Sequence, residues 1–222
     1  MKKVLNKIVQ FFKFVREEMI RFPKYIIFHP LKGWEEFKRY GKGKMSVAIT
    51  FVILAVIVNI MKFQYSGFIV NDTSIRDLKS LAQVFYIVGA VIVITVANWS
   101  VTTLFDGKGN MKNIFMMICY CLFPYIVCNI AGMILSNVLA TDEIAIYTLV
   151  IALGVAFMIY LFFFGIISIH EYGLGQCLLT ILFTIVAALI ILFVGILLFD
   201  LFQKIYGFLY QIYQEITLRD II

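Results

Sequence analysis

Five apolar runs, each long enough to cross a lipid bilayer, constrain this chain more than any other feature of its sequence. They extend approximately over residues 45–61, 81–105, 114–139, 144–169 and 177–202. A helix needs about 20 apolar residues to cross the roughly 30 Å of hydrocarbon in a membrane. The first run is the shortest, but the long side chains of Lys44 and Lys62 can extend to the two interfaces. The sequence therefore predicts an all-α polytopic membrane protein with five transmembrane helices.

The composition indicates one membrane domain and no separate soluble domain. Hydrophobic residues make up 63% and charged residues 14% of the 222 residues, whereas soluble domains are typically about half apolar and about a quarter charged. We divide the chain into cytosolic basic amphipathic helices at 1–44, a five-span domain at 45–202 and an amphipathic tail at 203–222. All four cysteines fall inside apolar runs, where they are expected to act as small packing residues.

The distribution of positive charge predicts the orientation of the helices. Residues 1–44 hold twelve lysines and arginines against four glutamates, and loops rich in lysine and arginine stay in the cytosol. Five crossings then return the loop with Lys108 and Lys112 to the cytosol. They place the acidic turn at Asp142 and Glu143 outside, together with the C-terminus.

The N-terminal segment is predicted to form an interfacial amphipathic helix. On a helical wheel its apolar side chains share one face, and Lys3, Lys7 and Lys13 lie on the other. On the inner leaflet, each lysine near anionic headgroups would contribute about 1 kcal/mol to the free energy of membrane binding. Alternatively, the apolar face could pack on a partner protein. A second short helix begins at Pro30 and would hold Trp34 at headgroup level. No nucleic-acid partner is expected, because the basic residues sit beside the bilayer without a recognisable reading motif.

Two stretches have partial similarity to catalytic or ligand-binding motifs. FDGKGNMKNIF, at 105–115, lacks the G-x-x-x-x-G-K-[ST] spacing of a phosphate loop, and its turn dipeptides predict that Gly107 and Gly109 reverse the chain. HEYGL begins like the zinc motif H-E-x-x-H, but Leu174 stands where the second histidine should be. We therefore expect no catalytic residue, no cofactor, no metal and no enzymatic activity.

The polar residues inside the spans are predicted to hold helices together. Asn98 and Asn129 are amides rather than charged groups, and coupled transporters usually place ionisable side chains at mid-depth. We expect both to form interhelical hydrogen bonds worth about 0.6 kcal/mol and at most about 2. Pro124 should kink the third span, and Gly173 is a predicted packing position before the fifth.

Three motifs in this order resemble the bacterial branch of the Yip1 domain family. They are HPLKGWEEFKRYGKGK before the first span, FDGKGNMKNIFMMICYCLFPYIV entering the third, and SIHEYGLGQCLLTIL between the fourth and fifth. The resemblance covers most of residues 28–200 and implies a five-span membrane protein. Eukaryotic relatives bind prenylated Rab-type GTPases, but this chain lacks their D-L-Y-G-P sequence, so the resemblance does not extend to that activity.

The resemblance also implies a role and a location. Genes of bacterial members lie near sugar-importer components, which implies ABC importer subunits as partners beside the anionic lipids of the inner leaflet. We therefore expect a non-enzymatic accessory or scaffold subunit in a bacterial plasma membrane. One alternative is a channel or carrier for a small solute, with a polar path past Asn98, Asn129 and Pro124. Another is a membrane-shaping or trafficking-type protein whose amphipathic helices act as wedges.

The segment after the last span carries an apolar stripe, which is expected to be buried against lipid or protein. Leucine and isoleucine recur at helical spacing from Leu201 to Ile216, with tyrosines alongside. The stripe could lie in the outer leaflet or dock on an extracytoplasmic partner, since tyrosine-rich surfaces suit both. The predicted partner-binding residues are Ile205, Leu209 and Ile212.

Overall fold

The structure is a computed structural model, and it describes residue 10, residues 13–70 and residues 80–219. Every regular element in this part of the chain is helical. Five of its helices are long and apolar enough to cross a membrane. These findings confirm the predicted all-α fold and the number of spans. Lys3 and Lys7 lie outside the described residues, so the interfacial helix stays a prediction.

Two short helices precede the spans and pack on each other. A π-helical segment, Val15–Arg21, continues directly into α1, Phe22–Phe28, and Pro30 begins α2, Pro30–Arg39. Proline suits a first helical turn because its missing N–H would have no partner there. Gly33 of α2 lies so close to α1 that a Cβ atom on it would be 2.9 Å from the Cα of Ile26. The two helices therefore form one compact unit.

The five long helices follow the predicted spans closely. They are α3, Met45–Tyr65; α4, Ser80–Leu104; α5, Met111–Leu135; α6, Ile144–His170; and α7, Leu174–Arg219. Successive helices reverse direction, so α2, the α4–α5 turn and the α6–α7 turn share one end of the bundle. The predicted fifth span ended at Phe202, whereas α7 continues as one helix to Arg219. Its extension includes most of the predicted tail.

α5 is the central helix of the bundle. It packs against α3, α4 and α6, and 56% of its most apolar stretch is buried, more than in the other four spans. Glycines allow α5 and α6 to approach closely: a Cβ on Gly154 would lie 2.6 Å from the Cβ of Cys128. Pro124 is buried inside α5, and its carbonyl oxygen faces Gly154.

α7 lies at the edge of the bundle and packs mainly on α4. Cys177, Thr180 and Thr184, in its first third, are buried. From residue 192 to residue 217 every residue except Gly207 is exposed. The 46 residues of α7 extend about 69 Å at 1.5 Å per residue, roughly twice the thickness of the hydrocarbon layer.

The position of Trp34 corrects one expectation. We predicted the indole at headgroup level, but it is fully buried between α2 and α6. Its ring packs edge-on against Phe37 at 5.2 Å between ring centres, and its Cε2 atom would be in ordinary contact, at 3.4 Å, with a Cβ atom placed on Gly165 of α6. Protein rather than lipid headgroups therefore surrounds Trp34, because α2 covers the end of the bundle. Lys13, by contrast, is exposed.

Candidate functional site

The three sequence motifs meet at one end of the bundle, around the carboxylate of Glu171. This carboxylate accepts a hydrogen bond from Lys38 Nζ of α2 at 3.0 Å and one from Lys108 Nζ of the α4–α5 turn at 2.7 Å. Glu171 ends α6 in the left-handed conformation, with φ of 60°. We call Lys38, Lys108 and Glu171, together with the adjoining His170 and Tyr172, the motif junction.

The two lysines determine the ionisation of Glu171. Hydrogen bonds from Lys108 and then Lys38 lower the pKa of its carboxyl from the usual 4.5 to about 2. The carboxylate is therefore ionised at neutral pH and bridges two cations. Its side chain is 40% exposed, and screening by water keeps such pairs individually weak. The bridge thus serves mainly to position the segments that it joins.

The glycine turn packs against the last residues of α6. A Cβ on Gly107 would lie 2.5 Å from Tyr172 Oη and 2.6 Å from His170 Nδ1, and one on Gly109 would lie 2.6 Å from His170 Cε1. The rings of His170 and Tyr172 stack with 5.2 Å between their centres. Both glycines are therefore needed for close approach, which extends the turn role that the sequence predicted.

Side chains from the α6–α7 turn and from the first turn of α7 donate hydrogen bonds to the C-terminal end of α4. The Tyr172 hydroxyl donates to the Phe105 carbonyl at 3.2 Å, and the Gln176 amide donates to the same carbonyl at 3.1 Å. Carbonyls at a helix C-terminus have no partner within their own helix, so these two donors satisfy one of them. The motif junction is thus a packing and hydrogen-bonding centre that connects α2, α4, α6 and α7.

Several residues of the motif junction were not among the predicted sites. Lys38, Lys108 and Glu171 lie far apart in sequence, and their pairing depends on the packing of α2 with the α4–α5 and α6–α7 turns. One signal could have indicated it: Glu171 is the single acidic residue of its loop, on the end predicted to be rich in lysine and arginine.

His170 is the most deeply buried side chain of the motif junction. It is 1% exposed, and neither ring nitrogen has a hydrogen-bond partner among the described residues. In the same part of the chain, no group of three or more His, Cys, Asp and Glu side chains is placed to hold a metal ion. The contacts of His170 are those of a packing residue stacked on Tyr172.

The other predicted positions lie in different surroundings. Asn98 is buried and donates to Thr184 Oγ1 at 3.2 Å, which links α4 to α7. Asn129, for which we also expected an interhelical bond, instead donates to the Tyr125 carbonyl of its own helix at 2.9 Å. Gly173, expected at a packing contact, has open space where a side chain would lie. The predicted partner-binding residues Ile205, Leu209 and Ile212 are exposed on α7.

Two cavities lie at the ends of the bundle. One, of about 240 Å³, borders α2 and α6 beside the motif junction. The other, of about 340 Å³, lies at the opposite end and is lined by Asn59, Lys62, Phe63, Ser66, Val70, Gln83 and Tyr147. Neither cavity reaches Asn98, Asn129 or Pro124, the residues that a solute path was expected to pass.

A family model matches most of this architecture. The model of the Yip1 domain matches residues 24–196. This range contains most of α1, all of α2 to α6 and the part of α7 that packs on α4, together with the motif junction and both cavities. No curated protein and no solved structure matches the chain.

Proposed function

The chain belongs to the Yip1 domain family, and from this premise we propose that it is a non-enzymatic accessory or scaffold subunit of a membrane assembly. It is a multi-pass membrane protein with five apolar helices. The observation that carries the proposal is the uncovered length of α7. None of its residues from 192 to 217 is buried against another of the helices that the structure describes.

The length of α7 brings part of this surface beyond the membrane. Residues 174–199 carry no charge and extend about 39 Å, which already exceeds the hydrocarbon thickness of roughly 30 Å. The first charges follow at Asp200 and Lys204, which form an ion pair at 2.8 Å. The segment after Asp200 therefore extends into the interface and the water beyond it.

This extension keeps a well-defined apolar face. At 100° per residue, one face about 80° wide holds Phe202, Ile205, Leu209, Ile212 and Ile216. Asp200, Lys204 and three glutamines lie on the opposite face. The apolar face lies on the same side of α7 as Thr184, which bonds to Asn98 of α4, and Cys177, which contacts the Phe163 carbonyl of α6. An amphipathic helix outside the hydrocarbon gains stability by covering such a face, and a partner protein can provide that cover.

The motif junction supports the same proposal. Its charged and polar side chains bond to each other and to backbone carbonyls. They hold the ends of α2, α4 and α6 in fixed positions, as a rigid subunit requires. A scaffold whose own loops are tied together presents α7 in a defined orientation.

We further propose a bacterial plasma membrane, with the N-terminus in the cytosol and the C-terminus outside. The positive charge of residues 1–44 supports this orientation. We propose that the partners are subunits of a sugar ABC importer. The support for them is the position of bacterial family genes near importer components, which the sequence resemblance implies.

Affinity purification from native membranes in a mild detergent, followed by mass spectrometry, tests the proposal. We expect importer subunits to co-elute with the wild type and to be lost from the triple variant Ile205→Ser, Leu209→Ser and Ile212→Ser. The matched control changes Gln203, Gln211 and Gln214, on the opposite face, to serine. We expect the importer subunits to co-elute with this control variant. If the wild-type protein elutes alone and transports a solute after reconstitution, the scaffold proposal is wrong and the protein is a channel or carrier.

A further inference from the structure

The cavity at the end of the bundle opposite the motif junction has the character of a ligand site. We call it the Lys62 cavity, and α3, α4 and α6 border it. Its volume of about 340 Å³ falls in the usual range for small-ligand sites, about 300–1,000 Å³. The cavity lies at the last turn of α3, where the apolar part of that helix ends. It is therefore accessible both to headgroups of the bilayer and to solutes.

Lys62 supplies a positive charge to this cavity. Its ammonium lies 6.0 Å from the centre of the Tyr147 ring, within the range of a cation–π contact. The described residues that line the cavity include no aspartate and no glutamate. Among the described residues, Lys62 forms no ion pair, whereas Lys38, Lys44 and Lys108 each contact a glutamate. Within the part of the chain that the structure describes, the positive charge at the wall of the cavity thus has no anionic partner.

A short chain of hydrogen bonds directs another donor to the cavity. The Tyr125 hydroxyl donates to Asn59 Oδ1 at 3.4 Å, and Asn59 Nδ2 donates to Gln83 Oε1 at 2.7 Å. Because the carbonyl oxygen of Gln83 is occupied as the acceptor, its amide N–H groups are left to donate at the wall. Bonds in such a chain polarise one another and strengthen its last donor.

Ser66 adds a further donor. Its hydroxyl oxygen is buried, and it has no hydrogen-bond partner in the part of the chain that the structure describes. A buried hydroxyl without a partner is unfavourable, so a ligand that accepts its hydrogen bond gains affinity. One cation and two neutral donors without a carboxylate suit an anion with several acceptor oxygens.

We propose that the Lys62 cavity binds a phosphate group, with Lys62 as the counter-charge and with Ser66 and Gln83 as hydrogen-bond donors. The phosphate belongs either to the headgroup of an anionic lipid or to a small soluble phosphate ester. The apolar side chains of Phe63 and Val70 complete the wall and suit the glycerol part of either compound. This site is separate from α7 and does not depend on the scaffold proposal.

Native mass spectrometry of the full-length protein in detergent tests the proposal. The probes are phosphatidylglycerol and diacylglycerol with the same acyl chains, which differ by the phosphate-containing headgroup. We expect the wild type to bind phosphatidylglycerol more tightly than diacylglycerol. Lys62→Gln should weaken this binding roughly tenfold or more, as the loss of a charged hydrogen bond does. Lys62→Arg keeps the charge and should retain most of the affinity.

Two further arms identify the source of the phosphate and control for general charge. Competition by millimolar glycerol 3-phosphate would identify a soluble ester as the ligand, and its absence would identify the lipid headgroup. Lys112→Gln removes an exposed lysine at the opposite end of the bundle and should bind like the wild type. The proposal is overturned if the wild type binds the two lipids equally and also does not bind glycerol 3-phosphate. It is overturned as well if the affinity of Lys62→Gln for the phosphate compound is within twofold of that of the wild type. A thermal melt of each variant establishes that it is folded.

Discussion

The ammonium of Lys108 lies 2.7 Å from a carboxylate oxygen of Glu171, although 63 residues separate them along the chain. The same carboxylate accepts a hydrogen bond from Lys38, across 133 residues. The ends of three sequence motifs are thereby connected through a single side chain. Part of each motif therefore lies at this end of the bundle, where α2, the α4–α5 turn and the α6–α7 turn meet.

Replacing Glu171 with glutamine should loosen the motif junction. The variant keeps the shape of the side chain but loses the charge that attracts both lysines, so the α4–α5 turn and α2 should open more often. Hydrogen exchange by mass spectrometry should then be faster at residues 106–110 and 30–39. Glu35→Gln is the matched control, since Glu35 pairs with Arg39 of its own helix. Unchanged exchange in Glu171→Gln would show that packing alone holds these segments.

The same carboxylate predicts how the junction responds to acid. Its pKa is lowered in the folded protein from the usual 4.5 to about 2, so it contributes stability that is fully present above about pH 4.5. This contribution is lost progressively as the pH falls from about 4.5 through about 2. Thermal melts of the wild type and of Glu171→Gln in detergent should therefore differ at neutral pH and converge below pH 2. A difference that stays constant with pH would contradict the assignment.

The glycines of the α4–α5 turn should not tolerate a side chain. A Cβ on Gly107 would lie 2.5 Å from Tyr172 Oη, and an overpacked contact of this kind typically costs about 1–3 kcal/mol. Gly173→Ala is the matched control, because open space surrounds that position. We expect a lower melting temperature for Gly107→Ala alone. Equal melting temperatures would mean that the ring of Tyr172 moves aside at little cost.

The bond between Asn98 and Thr184 should couple α4 to α7 by a modest amount. Interhelical hydrogen bonds in membranes are worth about 0.6 kcal/mol on average and at most about 2. A double-mutant cycle with Asn98→Ala and Thr184→Ala, followed by unfolding in detergent, measures the coupling free energy. A parallel cycle with Asn129→Ala and Thr184→Ala should be additive, because Asn129 bonds within its own helix. Coupling of equal size in both cycles would indicate a general rearrangement instead.

The spans could be predicted because one physical requirement dominates them. Backbone groups in hydrocarbon must be paired within a helix, and about 20 apolar residues are needed to cross. The start of α6 at Ile144 was therefore evident from the sequence, as was the reversal at Gly107. Both depend on local composition, which a single chain shows directly.

Other features depend on three-dimensional contacts that composition does not reveal. Trp34 has the amphipathic character of an interfacial residue, and only the packing of α2 on α6 buries it. Asn129 could reach a neighbouring helix by its position, yet the carbonyl of Tyr125 is a nearer acceptor. From the sequence, Glu171 is an ordinary loop residue. The two lysines around it are evident only from the packing of α2 and the α4–α5 turn.

The orientation of the protein can be tested with single cysteines. If residues 1–44 hold the N-terminus in the cytosol, five crossings place Asp142 and Thr217 outside and Lys112 inside. A membrane-impermeant maleimide applied to intact cells should therefore label Asp142→Cys and Thr217→Cys, and should label Lys112→Cys only after permeabilisation. The unmodified chain provides the background, since three of its four cysteines are buried and Cys128 is partly buried. If only Lys112→Cys is labelled in intact cells, the orientation is the opposite of the one expected. The α7 extension would then lie in the cytosol, where an extracytoplasmic partner could not reach it.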